Sequence, residues 1–175
     1  SMSAKLYNSV QVYYPLDVAT DSSGNVYVME YYNNRIKVFN SSGAYLRSFG
    51  GYGYGRTQWR YARQFTIYND QIYVVDTYGK RLLKMSLTGQ CIKVTATLYS
   101  YPHSIAINSS SIFVGNTGSS IEKFTTSGMY QSGYSHNSSG YVNYAWGMAM
   151  NSAGNKLLIA NYNGNKISEF SVSGA

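Results

Sequence analysis

The side chains best equipped for chemistry in this sequence are arginine, tyrosine and tryptophan. They crowd into one stretch, GGYGYGRTQWRYARQ at 50–64. Arginine offers a planar fork of donors to phosphate or carboxylate and stacks on rings. Tyrosine and tryptophan offer flat faces to bases, sugars or peptide side chains. Tyr52, Tyr54, Arg56, Trp59 and Arg60 are therefore candidate ligand contacts. Charge beside rings is what single-stranded RNA needs, for its backbone and its bases. The same residue types dominate protein interfaces, so a protein or peptide fits equally well. An insertion whose aromatics merely cover the core edge is the third reading.

Catalytic groups are scarce. The chain has seven acids, and Asp17, Asp21, Glu30 and Asp76 occupy strand or turn positions that recur along it. The two histidines, His103 and His136, have no supporting carboxylate nearby and make a poor metal site. No nucleophile–base–acid arrangement is apparent. Neither an enzyme, a cofactor nor a metal is expected. Cys91 is alone, so one chain builds no disulfide or thiolate cluster, and it reads as packing.

The net charge of +7 is uneven. No acid stands between Glu30 and Asp70, a stretch holding Arg35, Lys37, Arg47, Arg56, Arg60 and Arg63. Lys80, Arg81, Lys84 and Lys93 follow before the next acid after Asp76, so any basic field belongs to the first half. No run of eighteen apolar residues occurs, so neither a spanning helix nor a membrane partner is expected. The start shows no signal-peptide pattern.

The elements that must position these groups are repeats. The clearest unit is PLDVATDSSGNVYVMEYYNNRIKVFNSSGAYLRSFG, from Pro15 to Gly50. Its four runs, LDVATD, VYVMEY, RIKVFN and AYLRSFG, are β-branched, aromatic or alternating, and turn residues separate them. Further copies start at Ala62, Pro102 and Ala145, and each carries a Ser-Gly or Thr-Gly pair at one hairpin turn. Four strands in about 40–45 residues is the period of a propeller blade, which must stack on its neighbours to bury its faces. The prediction is an all-β propeller of four four-stranded blades, at about 15–50, 62–98, 102–134 and 145–175. The fourth copy stops where its last strand should begin. The segment AKLYNSV at 4–10 resembles AYLRSFG at 44–50 and is expected to supply that strand, removing an exposed edge. A fragment of a longer array is the alternative.

The units resemble NHL repeats. Blade one matches that pattern best, through Pro15, Asp21, Gly24, Asn25, Val26-Tyr27-Val28, Glu30, Asn34-Arg35-Ile36, Phe39 and Gly43. Blade two keeps Ile72-Tyr73-Val74, Asp76 and Arg81. Blade three departs most, with Asn116 for the acid and Ser120 for the arginine; blade four has Asn161 and Lys166. The resemblance implies a binding propeller, commonly of six blades. Four blades would close tightly around a filled axis or assemble as two chains into a larger ring, a homo-oligomer. Some NHL propellers, those of tripartite-motif proteins, bind RNA on a basic face. Related lyases hold metal with several histidines, a pattern that two histidines do not supply.

Aligning the copies puts Leu16, Arg63, His103 and Trp146 at equivalent sites just before the inner strands. They are expected to ring the axis on one face. Their unlike chemistry suits a specific pocket or a plug for a narrow channel. Tyr31, Tyr32, Tyr78 and Tyr162 in the middle turns should pave the same face with rings, together with the tyrosine-rich connections at 98–102 and 134–144. The pairs Glu30/Arg35 and Asp76/Arg81 read as ion pairs pinning those turns or as a charged ligand ring. The expected function is a non-enzymatic binding or scaffold propeller presenting a Tyr/Arg-rich face to a protein, peptide or glycan. The alternatives are an RNA-binding propeller using 50–64, and a scaffold or excised or engineered propeller with no ligand of its own.

Overall fold

The computed structural model of the chain describes residues 11–95, 98, 100–118, 120–135 and 142–172. Blade one comprises β1 (Pro15–Thr20), β2 (Val26–Glu30), β3 (Arg35–Phe39) and β4 (Tyr45–Gly50). Blade two comprises β5 (Gln64–Tyr68), β6 (Gln71–Asp76), β7 (Arg81–Ser86) and β8 (Cys91–Val94). Blade three comprises β9 (Pro102–Ile107), β10 (Ser111–Asn116), β11 (Ser120–Thr125) and β12 (Tyr130–Ser135). Blade four comprises β13 (Ala145–Met150), β14 (Lys156–Asn161) and β15 (Lys166–Ser171). Each blade is an antiparallel meander in sequence order, and the fold is an all-β propeller of four blades. The strand expected from 4–10 to complete blade four lies outside the described residues.

The turns explain the spacing of the repeat. In blade one Asp21 accepts hydrogen bonds from the N–H groups of Ser23 (3.0 Å) and Asn25 (2.8 Å), from the Asn25 amide (2.8 Å) and from the Tyr27 hydroxyl (3.1 Å). Gly24 supplies the left-handed residue, φ +79°, that this tight turn requires. Asn40, Asn108 and Asn151 accept neighbouring N–H groups in the same manner at later turns.

Strand alternation gives each blade two apolar faces, and three cores fill the spaces between successive blades. Tyr27, Met29, Ile36 and Val38 pack on Phe65, Ile72, Val74 and Leu83 between blades one and two. Tyr73, Val75 and Leu82 meet Ile105, Ile112 and Val114 between two and three. Phe113 and Ile121 meet Leu157, Ile159 and Met148 between three and four. One side chain on each of the first three inner strands also stitches it to the next. Asp17 Oδ2 accepts from Phe65 N–H (2.9 Å), Gln64 Oε1 accepts from Ile105 N–H (2.8 Å), and Ser104 Oγ donates to the Ala145 carbonyl (2.8 Å). The equivalent residue of blade four is Gly147, which has no side chain to extend the series. Among the described residues no core of this kind joins blade four to blade one.

Candidate functional site

The site is built where each blade begins. The residue ending each middle strand is an acid or amide: Glu30, Asp76, Asn116 and Asn161. Three of them catch the backbone of the incoming connection. Glu30 accepts from Tyr13 N–H (2.7 Å), Asp76 from Arg60 N–H (2.7 Å), and Asn161 from Asn143 N–H (2.9 Å). The next residue is a tyrosine each time. Tyr14, Tyr61 and Tyr144 stand at φ +46°, +50° and +59°, a region costly for a bulky side chain. The carbonyls of Tyr14 and Tyr144 accept from Tyr31 and Tyr162 N–H at 3.2 and 3.1 Å, which locks the turn. Tyr101 holds the same place in blade three, its carbonyl accepting from Thr117 N–H at 3.0 Å.

The ion pairs serve this clamp. Glu30 is buried against Arg35, with Lys37 Nζ at 3.3 Å; Arg81 meets Asp76 at 2.8 Å. Burial alone would raise the Glu30 carboxyl, but hydrogen bonds from Arg35, Tyr13 N–H, Asn33 and Lys37 bring it below its ordinary value. For Asp76, burial outweighs the same kind of help from Arg81 and the pKa is raised. Both pairs pin their turns.

The clamped tyrosines pave one face. Tyr14–Tyr32, Tyr32–Tyr31, Tyr31–Tyr61, Tyr61–Tyr78 and Tyr78–Tyr101 follow one another at ring separations of 4.8, 5.0, 5.4, 5.7 and 5.6 Å. Edge-to-face and tilted contacts at such distances are favourable. Tyr32, Tyr78 and Tyr101 are exposed, as is Tyr52, which lies 5.7 Å from Tyr61. Across the axis Trp146 stacks on Tyr162 (5.1 Å, 30°) and Tyr144 (5.7 Å, 22°), and His103 lies on Trp146 at 4.5 Å. Arg63 bridges the two groups, its guanidinium 5.6 Å from the Tyr31 ring and 5.8 Å from that of Trp146.

Leu16, Arg63, His103 and Trp146, one from each blade, line a single cleft with Asp17 and Gln64. It holds about 490 Å³ counting its open mouth, room for one ring-sized group. Leu16 and Trp146 are half-exposed, whereas His103 is buried, its Nε2 lying 3.5 Å from the Tyr144 hydroxyl. Burial, reinforced by the Arg63 charge, lowers His103 to about 4, so its ring is neutral at pH 7. Burial raises Asp17 despite the N–H groups of Phe65 and Val18.

The aromatic-basic stretch at 50–64 behaves differently from expectation. Trp59 is fully buried in the core between blades one and two, its ring under Gly50, so it presents no stacking face. The reason is that the loop folds back: Trp59 N–H donates to the Gly51 carbonyl (2.9 Å) and Trp59 pairs with Tyr52 as an isolated bridge. Arg60 is bound to the Tyr54 hydroxyl and covers the Tyr54 and Tyr52 rings. Arg81 donates to the carbonyls of Tyr54 (2.7 Å), Gly55 (3.0 Å) and Gln58 (2.8 Å). Tyr52, Tyr54 and Arg56 remain exposed. His136 lies outside the described residues, within which no group of three His, Cys, Asp or Glu side chains is placed to hold a metal.

Tyr101 and Tyr144 fall in the tyrosine-rich connections expected on this face, whereas Tyr14 and Tyr61 are residues that reading by motif misses. A signal does exist: a tyrosine stands immediately before the start of each repeat copy, as Tyr-Pro, Tyr-Ala, Tyr-Pro and Tyr-Ala.

Residues 15–110, the first two blades and the inner strand of the third, match the model of a family described as "6-bladed beta-propeller". Two solved structures share the fold. The computationally designed Ika4 protein is 12% identical, with a TM-score of 0.73, over 98% of this chain and 100% of Ika4. A catalytically inactive virginiamycin B lyase from Staphylococcus aureus, solved with quinupristin, is 18% identical, with a TM-score of 0.72, over 92% of this chain. This chain spans 53% of that lyase. A comparison with curated proteins found no match.

Proposed function

The chain belongs to the 6-bladed beta-propeller family, and on that premise we propose that it is a non-catalytic binding propeller whose axial cleft takes a glycan ring. The propeller fold supports a binding or scaffold role in general. The observation that carries the finer reading is the half-exposed Trp146, stacked on Tyr144 and Tyr162 and set beside Arg63. A pyranose ring has an apolar C–H face that lies on such a ring and a hydroxyl edge that hydrogen-bonds. Arg63, Asp17 and Gln64 line the same cleft as polar partners for that edge. The neutral, buried His103 completes the aromatic floor beneath Trp146. The NHL-like signature of blade one is the finer family reading, and a binding role accords with it.

Within the 50–64 stretch Arg60 is turned onto the Tyr54 hydroxyl and the Tyr52 and Tyr54 rings and Trp59 is buried, which favours the cleft over that loop as the contact surface. The test is a glycan array followed by calorimetry on any hit. Trp146→Ala should weaken binding roughly tenfold or more, as a central aromatic anchor does. Tyr144→Gly keeps the left-handed backbone accessible and should weaken binding without unfolding the chain. Glycan signal no higher than background, or salt-sensitive binding of single-stranded RNA in its place, overturns the reading.

A further inference from the structure

Every blade presents one face to its predecessor and one to its successor, and the residues at each face are equivalent along the repeat. Phe65, Ile105 and Met148 turn toward the preceding blade and are buried there. Their counterpart in blade one is Val18, and it is 61% exposed. Tyr27, Tyr73 and Phe113 turn toward the following blade and are buried. Their counterpart in blade four is Leu158, and it is 37% exposed, with Ile167 on the adjacent strand 76% exposed. Among the described residues, the exposed Leu, Ile and Val side chains of inner and middle strands and of β15 are Leu16, Val18, Leu158 and Ile167. Leu16 lines the axial cleft; Val18 lies on the rear face of blade one, and Leu158 and Ile167 lie on the forward face of blade four.

We propose that the occupant of these faces is a second copy of this chain, so that two chains join head to tail in one closed ring of eight blades. The two faces are complementary in kind, because each is of the type that meets the other at the three seams inside the chain. The forward face of blade four is neutral as well as apolar: its charges, Lys156 and Glu169, pair at 2.9 Å. The stitching series along the inner strands stops at Gly147, so the fourth seam has no counterpart of the Asp17, Gln64 and Ser104 bonds. The family is described by six blades, a wider ring than four blades make. A face-to-rear contact repeated by a two-fold axis closes after two chains and covers Val18, Leu158 and Ile167. This inference is independent of the glycan reading.

The experiment is native mass by light scattering, with cross-linking to establish which faces meet. The expected mass is twice that of the 19.5 kDa chain. Val18→Asp and Ile167→Asp should each reduce it to that of one chain. Mixing these two variants should restore pairs, because one of the two seams then contains no substitution. In a Cys91→Ser background, Val18→Cys and Leu158→Cys chains treated with a short bis-maleimide should cross-link only when mixed. Circular dichroism matching the parent shows that the variants fold, and the cysteine pair serves if the aspartates do not. A parent chain of single mass at its highest soluble concentration overturns the proposal. So does cross-linking of either cysteine variant with itself, since that marks a face meeting its own kind.

Discussion

Lowering the pH should destabilise this protein in part through His103, in a window set by the cleft. The imidazole is buried against Trp146 and Tyr144 with Arg63 near, and its pKa falls from 6.5 to about 4. A histidine with a depressed folded pKa stays neutral in the fold while the unfolded chain binds a proton. Its stability contribution is therefore complete above the unfolded pKa and is lost as the pH falls from about 6.5 toward about 4. Full expression of that displacement is worth about 3 kcal/mol. The open mouth of the cleft admits solvent that screens the charges, so about 2 kcal/mol is expected. The assay is urea unfolding across pH 4–7 for a His136→Gln chain and for the same chain with His103→Phe. Phenylalanine keeps a ring against Trp146 and removes the titration, and the difference between the curves cancels the carboxylates. NMR of the single remaining imidazole gives its midpoint directly. A flat difference curve, or a midpoint between 6 and 7, would refute the burial argument and with it the neutral floor of the cleft.

Two substitutions probe the scaffold beneath the site. Gly50→Ala forces a residue at φ +112° and puts a Cβ 2.4 Å from the Trp59 ring and 2.7 Å from the Asn34 carbonyl. Strain and overpacking together should cost about 2–4 kcal/mol in denaturant unfolding. Asp76→Ala strands Arg81 and the N–H groups of Arg60 and Gly79, all bonded to Asp76 at 2.7–3.0 Å. It should cost about 3–5 kcal/mol, read as a fall in Tm, and Asp76→Asn should cost less because it keeps an acceptor.

Several parts of this protein are local and were readable in order. The Asp-Ser-Ser-Gly-Asn turn at 21–25 needs an acceptor and a left-handed glycine within five residues, and both are written there. Glu30 with Arg35 and Asp76 with Arg81 are cross-strand neighbours across one turn, so spacing alone implied their pairing. The convergence of Leu16, Arg63, His103 and Trp146 follows from equal positions in a stacked repeat. Trp59 was not readable, because an aromatic in a glycine-rich loop looks alike whether it turns outward or folds under Gly50. Only the returning backbone of the loop decides that.

The four tyrosines ahead of the inner strands show the division most clearly. Their regular placement was in the sequence, but their role depends on a clamp assembled from the end of one strand and the start of another. The same holds at the ends of the array. Strand period, blade count and the two-faced pattern of each blade came from residue order, because alternation and turn chemistry act over a few residues. Which faces are covered came only from the tertiary structure. That depends on how far successive blades rotate about the axis, a quantity summed over three packed cores and interrupted at Gly147, where a stitching side chain is missing.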